Sequence, residues 1–266
     1  MSLARFQIST FVLLLVWAFN LQAHEFWIEP ADYRLTQGDD MVADIKVGQS
    51  FSGASVPFLT HTVARSEGWH QGQRYDIPST YGALPALRIP LTGDGLHVIV
   101  HETEENTLRY RDDPQFTAFG VEKGYPDLLS QHRSRYPDGR ILERYFRYAK
   151  SLITQGSSTG EDIRVGMPIE LVLDSNPYQT QQIRGLLWGP DGVLANHRVT
   201  AFTKAAGDTL GDAQHTTTDA QGRFSFPWPS GHDVLLDAVM IRALPDQGET
   251  KPRWESLWAS TTFSAK

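Results

Sequence analysis

The chain has 266 residues, with 24 basic and 31 acidic side chains, a formal net charge of −7 and no cysteine. The negative balance argues against nucleic acid or an anionic membrane as a partner. Without cysteine the chain can form neither a disulfide nor a thiolate metal site, and it offers no thiol for lipid attachment.

The first 23 residues are predicted to be a secretory signal peptide. An apolar core follows a single basic residue, and Leu21 and Ala23 fit the −3 and −1 positions of a cleavage site. This core is too short to span a bilayer comfortably, so we expect no transmembrane segment in the mature chain. Cleavage would leave 243 of the 266 residues, beginning at His24 and exported to a Gram-negative periplasm.

Residues 24–111 are predicted to form an N-terminal β-sandwich domain. Met41 to Val47 alternates apolar and polar side chains, as a half-buried strand does. The turn signal Gly93-Asp94-Gly95 precedes Leu96 to Glu102, which is the strongest strand pattern of this half. A small antiparallel sandwich accommodates both strands.

Residues 112–155 are predicted to be a helical segment. An Asp-Pro pair at Asp113 is typical of a helix start, and Gly124 would end that first helix. A second helix is predicted over 127–135. A third is predicted over 140–150, where apolar residues recur at helical spacing and would form a buried stripe.

Residues 161–266 are predicted to form a C-terminal β-domain. The preceding stretch 155–160, Gln-Gly-Ser-Ser-Thr-Gly, has the composition of a flexible linker. Seven short strands separated by turn signals, including a hairpin turn at Asp219 to Gly222, are typical of an immunoglobulin-like or transthyretin-like sandwich. The predicted fold is therefore mainly β, with two β-sandwich domains and a helical insertion between them.

His24 is the candidate anchor of a metal site. As the mature N-terminus it offers the α-amine and the ring Nδ1, which together close a chelate ring on a metal ion. One further imidazole would complete the T-shaped, three-nitrogen histidine brace of secreted copper proteins. The alternative is that His24 merely follows the cleavage site and begins an edge strand, because a single histidine is weak evidence for a metal site.

The strand Leu96 to Glu102 offers the best partners for His24. His97 and His101 face the same side of this strand, but their Cα atoms are roughly 13 Å apart on a straight strand, too far for both to bind one metal. We favour His97 as the ligand and keep His101 as the alternate. Nitrogen ligands suit Cu(II) and Ni(II), with Co(II) and Zn(II) below or beside them, so ligand type does not identify the metal.

Four stretches of the sequence carry a resemblance to a known family. They are HEFWIEP from His24, GLHV from Gly95, ERYFRYAKSL from Glu143 and WESLWASTTF from Trp254. In this order they resemble the exported family labelled domain of unknown function 4198, whose members are often described as periplasmic components linked to nickel or cobalt uptake. The resemblance implies a divalent metal ion as ligand and a membrane metal-uptake transporter as partner. Where relatives often carry a histidine in the penultimate strand, this chain reads Asp237-Ala238-Val239-Met240-Ile241 and has none.

Three functions remain open at this stage. The sequence has no phosphate-binding glycine loop, H-E-x-x-H helix or dinucleotide fingerprint, so we expect no enzyme. We predict a periplasmic protein that binds nickel, cobalt or copper through His24 and is associated with metal uptake or delivery. The alternatives are an exported structural or adhesion β-module without metal, and a copper-dependent oxidase that uses a histidine brace.

Overall fold

The computed structural model describes residues 24–137, 139–205, 207–227 and 231–265. The predicted signal peptide, residues 1–23, lies outside the described residues. Within the described ranges the fold is mainly β, as predicted, with open sheets and two short α-helices. Neither helix has the length and apolar character needed to cross a membrane.

Strands account for most of the regular structure in the described ranges. They are β1 (Glu25–Pro30), β2 (Arg34–Leu35), β3 (Asp40–Gln49), β4 (Ser52–Val56), β5 (Val63–His70), β6 (Gln73–Asp76), β7 (Leu87–Pro90), β8 (Gly95–Thr103), β9 (Asn106–Arg109), β10 (Leu142–Gln155), β11 (Glu170–Leu173), β12 (Gln182–Gly189), β13 (Gly192–Val193), β14 (Arg198–Ala205), β15 (Thr209–Leu210), β16 (Gln214–Thr217), β17 (Arg223–Pro227), β18 (Asp233–Ala243) and β19 (Trp254–Ser264). The helices are α1 (Asp113–Lys123) and α2 (Leu128–Arg135), and a single 3-10 turn covers Thr60–Thr62.

The largest sheet within the described residues has 11 strands and forms the middle layer of the molecule. Its order is β15-β14-β18-β19-β10-β8-β5-β6, with β16 pairing with β14, and β2 and β9 pairing with β10. β10 and β19 run parallel, whereas β8 pairs antiparallel with β10, and β18 pairs antiparallel with β19. β10 therefore joins the two halves of the chain in one sheet.

Two smaller sheets cover opposite faces of this middle layer. One contains β1, β3, β4 and β7, and the other contains β11, β12, β13 and β17. The hydroxyl of Thr262 donates to the backbone oxygen of Ile28 in β1, whereas that of Thr261 donates to Leu171 in β11. Successive residues of a strand point to opposite faces, so β1 and β11 lie on opposite sides of β19. Nearly all of β19 is buried because both of its faces are covered.

The two helices pack on the same face as β1. Phe116 and Phe119 of α1 place their rings 5.9 Å from Trp254 and 5.7 Å from Trp258 of β19. These tryptophans have the same parity along β19 as Thr262, which contacts β1. One face of the middle sheet is therefore shared between β1 and the helical layer, and Glu25 at the start of β1 contacts Lys123 of α1 where they meet.

The first two helices are confirmed with small shifts at their ends. Asp112, one residue before the predicted start, caps α1 by accepting a 2.9 Å hydrogen bond from the backbone of Gln115. Gly124 ends the helix at φ +91°, a left-handed conformation that favours glycine. The second helix, predicted from residue 127, begins at Leu128.

The predicted third helix over 140–150 is wrong, because this stretch is the first part of strand β10. Its apolar residues do recur at helical spacing, but Tyr145, Phe146 and Tyr148 are aromatic residues that suit a strand. Pairing with β8 and β9 on one side and β19 on the other satisfies the backbone of β10. Tertiary pairing overrides the weak local preference for helix. The helical segment 112–155 is thus helical only in its first half.

Two separate sandwiches with a helical insertion are not confirmed. The middle sheet takes β5, β6 and β8 from the predicted N-terminal domain, and β14, β16, β18 and β19 from the predicted C-terminal one. The stretch predicted as a flexible linker is a bonded loop: Ser157 donates its backbone N–H to Asp94 at 2.9 Å, and Leu96 donates to Thr159 at 2.7 Å. The positions of the domain boundaries stay predictions.

Candidate functional site

The start of β1 lies over the middle sheet. β1 pairs antiparallel with β3 along its whole length. The ring of Phe26 lies 5.8 Å from the ring of His101 in β8, and the guanidinium of Arg147 in β10 lies 5.6 Å from the same phenyl ring. Residue His24, two positions before Phe26, is thereby placed beside β10.

His24 has one unsatisfied ring nitrogen. Its backbone oxygen accepts a 3.3 Å hydrogen bond from Nη2 of Arg147. Its Nδ1 atom is buried and has no hydrogen-bond partner in the described part of the chain. Burial, followed by the positive charge of Arg147, lowers the pKa of His24. The ring is therefore neutral at pH 7, which is the form that binds metal ions.

His101 also has an unsatisfied nitrogen. Only 3% of its surface is exposed, and its ring lies between the rings of Phe26 and Phe58, at 5.8 and 5.7 Å. Burial lowers the pKa of His101 to about 4, so the imidazole is neutral. Its Nδ1 atom lacks a partner among the described residues, as does the hydroxyl of Ser66 directly opposite on β5. An unpaired buried polar atom is costly, by about 1–3 kcal/mol.

His97 is fully engaged in hydrogen bonds. Its Nδ1 lies 3.2 Å from the hydroxyl of Tyr75, and its Nε2 lies 3.2 Å from the backbone oxygen of Gly93. Since a carbonyl oxygen can only accept, Nε2 carries the proton and Nδ1 accepts from the tyrosine. The ring also stacks on His70 at 4.2 Å, and burial lowers the pKa of His97 to about 4. Both nitrogens thus have partners within the sheet.

The structure therefore does not gather the three predicted ligands. His101 lies against Phe26 near the start of β1, and His97 lies four residues earlier on β8 with both nitrogens occupied. Of the two strand histidines, the alternate His101 is the one with a free nitrogen. This reverses the preference that the sequence suggested.

A buried ionic cluster lies next to His24 and was missed by the sequence reasoning. Lys123, the last residue of α1, donates to Glu25 at 2.7 Å and to Asp237 of β18 at 3.1 Å, and its Nζ also lies 3.1 Å from Glu122. Glu25 additionally accepts from the backbone of Ser50 at 2.9 Å. Lys123, Glu25 and Asp237 are almost completely buried. The cluster holds α1, β1 and β18 together.

Burial and ion pairing shift the pKa values of Lys123 and Asp237 in this cluster. Burial lowers the pKa of Lys123, but Asp237 and Glu25 outweigh it and hold that pKa above its ordinary value. Burial, and to a smaller extent the nearby anion Glu25, raises the pKa of Asp237 to about 6 against the opposing effect of Lys123. A signal for the cluster exists in the sequence, since Asp237 is a single acid inside the apolar run of residues 234–241.

The donor set of this region is small. No group of three or more His, Asp or Glu side chains in the described ranges is arranged to hold a metal ion. An N-terminal histidine needs fewer residues, because it supplies two nitrogens by itself. Glu25 is already bonded to Lys123 and Ser50, and the cation Arg147 faces His24. Nδ1 of His24 is a buried nitrogen that these contacts leave without a partner in the described ranges.

The chain belongs to the family described as "Domain of unknown function (DUF4198)", which matches residues 21–242. The match confirms the family and covers three of the four sequence stretches, whereas the stretch that starts at Trp254 lies beyond it. No curated protein matches the chain significantly.

Two solved structures show weak similarity to the chain. A tetra-tandem repeat from the extending region of a large adhesion protein is 12% identical with a TM-score of 0.21, covering 91% of this chain and 49% of that chain. The BSP domain of a biofilm-associated protein is 10% identical with a TM-score of 0.18, covering 89% of this chain and 29% of that chain. The chain spans about half of the first and less than a third of the second. Similarities this weak carry no argument about function.

Proposed function

We propose that the mature chain is a periplasmic protein that binds one divalent transition-metal ion at His24 and delivers it to an uptake system. The observation that carries this proposal is the buried, unpartnered Nδ1 of His24, at the residue whose α-amine is created by signal cleavage. A ligand at this nitrogen relieves the cost of leaving it unpaired. The lowered pKa of His24 keeps the ring in its metal-binding form at neutral pH.

His101 is the preferred third ligand in this proposal. Its Nδ1 is unpartnered and its ring is neutral, whereas both nitrogens of His97 are engaged. Its ring contacts Phe26, two residues after His24. A nitrogen-rich set suits nickel and copper best, with cobalt below them.

Arg147 gives the proposed site a property that suits a carrier. Its positive charge repels a metal cation at His24, so affinity falls below that of an isolated N-terminal histidine chelate. A delivery protein must release its cargo, and a weakly held ion dissociates faster. The two carboxylates that act on His24 in the opposite sense, Glu25 and Glu122, are both already paired with Lys123.

The second candidate is an exported structural or adhesion β-module without metal. It is favoured by the full hydrogen bonding of His97 and by the enclosure of the His101 ring between two phenylalanine rings. In this case His24 serves only to begin β1. A copper-dependent oxidase is the least supported candidate, and we propose no enzymatic activity.

The test compares mature protein that begins at His24 with a form that carries one glycine before it. Nickel and copper affinities are measured by competition with a chromophoric chelator, and circular dichroism checks the fold. We expect the extension to weaken binding at least 100-fold, because it removes the α-amine from the chelate.

His101→Ala should weaken binding about 10–100-fold, whereas His97→Ala should leave the affinity of the folded protein unchanged. Equal metal affinities of the native and extended forms would contradict the proposal and favour the structural module.

A further inference from the structure

A cavity of about 270 Å³ lies at one end of the middle sheet, away from His24. It is bounded by the turn between β5 and β6, the turn that contains Asp94, and the loop 159–163. Leu96 and Val98 line it, and they alternate along β8 with His97 and His101, so the cavity opens on the face opposite to these two histidines. It is therefore separate from the proposed metal site.

Hydrogen bonds and close backbone contacts fix the cavity walls. Asp94 accepts a 2.9 Å bond from the backbone of Ser157, and Leu96 donates a 2.7 Å bond to the backbone of Thr159. Gly95 lies so close to Thr159 that a Cβ atom there would come within 2.7 Å of its backbone oxygen. This contact requires a glycine, which also adopts φ +112°. The loop is thus held against the start of β8.

The cavity has an apolar floor and an acidic rim. Its apolar lining residues are Trp69, Leu96, Val98 and Ile163, and its acidic ones are Asp94 and Glu161. The indole N–H of Trp69 donates to Glu67 at 2.9 Å, which fixes the orientation of the ring. Neither lysine nor arginine is among the lining residues, although the polar lining includes His70 and Gln71.

The carboxylates of the rim are exposed and negatively charged. Hydrogen bonds from the side chain and backbone of Ser157 lower the pKa of Asp94. Glu161 is exposed and also lines the cavity. A ligand that complements this lining carries a positive charge at one end and a hydrocarbon body at the other.

We propose that this cavity binds a small organic ammonium ion with a hydrocarbon stem of about four carbons. The stem packs on Leu96 and Val98 and against the indole of Trp69, which also attracts a cation at its face. The ammonium group lies between Asp94 and Glu161. Charge complementarity selects this class over neutral sugars and over anions. Because the cavity is larger than such an ion, we expect weak binding that tolerates different stem lengths.

The test uses n-butylammonium chloride as the probe, added to the whole mature protein. Binding is followed by the NMR signal of the Trp69 indole N–H, assigned by its loss in Trp69→Phe. We expect a saturable shift of this signal, weakened by added salt. 1-Butanol, which has the same stem without the charge, and glucose should shift it much less at equal concentration.

Two exposed glutamates provide a matched comparison. Glu161→Gln removes a rim charge and should weaken butylammonium binding about threefold, the effect of an exposed ion pair. Glu249→Gln removes an equally exposed charge that does not line the cavity, and should leave binding unchanged. The proposal is overturned by no shift at Trp69, by equal binding of butanol or glucose, or by equal effects of the two variants. None of these outcomes depends on metal binding at His24.

Discussion

Removing the cation of the buried cluster beside His24 should strongly destabilise the fold. In Lys123→Met, Glu25 and Asp237 lose the ammonium group that lies 2.7 and 3.1 Å from them, in a region where both side chains are at most 3% exposed. Breaking a buried ion pair from one side typically costs about 3–5 kcal/mol, because an uncompensated charge stays buried. For a domain of this size that corresponds to a Tm lower by roughly 6–20 °C.

The pH dependence of this loss gives a sharper test. In the variant the folded-state pKa of Asp237 rises beyond its wild-type value of about 6, further above the ordinary 3.8. A carboxyl group whose pKa is higher in the folded than in the unfolded state destabilises the fold when it is ionised. This destabilisation disappears as the pH falls and the group is protonated in both states. The deficit of Lys123→Met should therefore be smaller at pH 5 than at pH 7.5. Adding Asp237→Asn should recover part of it at pH 7.5.

The assay is urea unfolding followed by tryptophan fluorescence, with Lys46→Met as the control. Lys46 is partly exposed and lies 3.7 and 3.8 Å from Glu29 and Asp44, so its loss should cost no more than about 1 kcal/mol. The reasoning is refuted if Lys123→Met costs no more than Lys46→Met at pH 7.5. It is also refuted if the deficit grows on lowering the pH to 5.

Two further predictions concern the helical layer. Burial raises the pKa of Glu143 to about 7 from 4.5, against hydrogen bonds from Ser256 and Tyr110, so this group costs stability as the pH rises from about 4.5 through 7. Glu143→Gln should remove that cost. Between pH 4.5 and 8, the free energy of unfolding of the wild type, measured by urea titration, should fall by up to roughly 3 kcal/mol relative to the variant. Parallel pH dependences for the two proteins would contradict this. Asp112→Ala should cost about 1 kcal/mol by removing the cap of α1, measured by thermal unfolding. Asp127→Ala is its control, because the Asp127 side chain makes no capping bond at α2, and equal losses in the two variants would refute the capping role.

Local patterns in the sequence predicted most strands and both helices. The alternation at Met41 to Val47 is β3, and the run at Leu96 to Glu102 is β8. The strand prediction is correct for these two segments because each has one dominant hydrophobic period and clear turn residues at its start. The helix prediction is wrong for residues 142–155 because their charged and aromatic residues are mixed in a pattern compatible with either a helix or a strand. Only pairing with distant strands, β8 and β19, decides between them.

The candidate site depended even more on long-range structure. The sequence identified His24, His97 and His101 as imidazoles of interest, but not which ring nitrogens would be left free. That depends on Tyr75 and Gly93, which occupy His97, and on the two phenylalanine rings that enclose His101. The Lys123 cluster was equally hidden, because its members come from positions 25, 123 and 237 of the chain.

The most direct test of metal binding at His24 starts from protein expressed with its own signal and recovered from the periplasm. Intact mass and bound metals are measured on the same sample. We predict a mass that begins at His24, with about one equivalent of nickel, cobalt or copper per chain, present as isolated or after incubation with these ions. A mass that begins at His24 without metal, even after that incubation, would contradict the metal-carrier proposal and favour the structural module. A chain that begins at any other residue would remove the α-amine on which the proposed site depends.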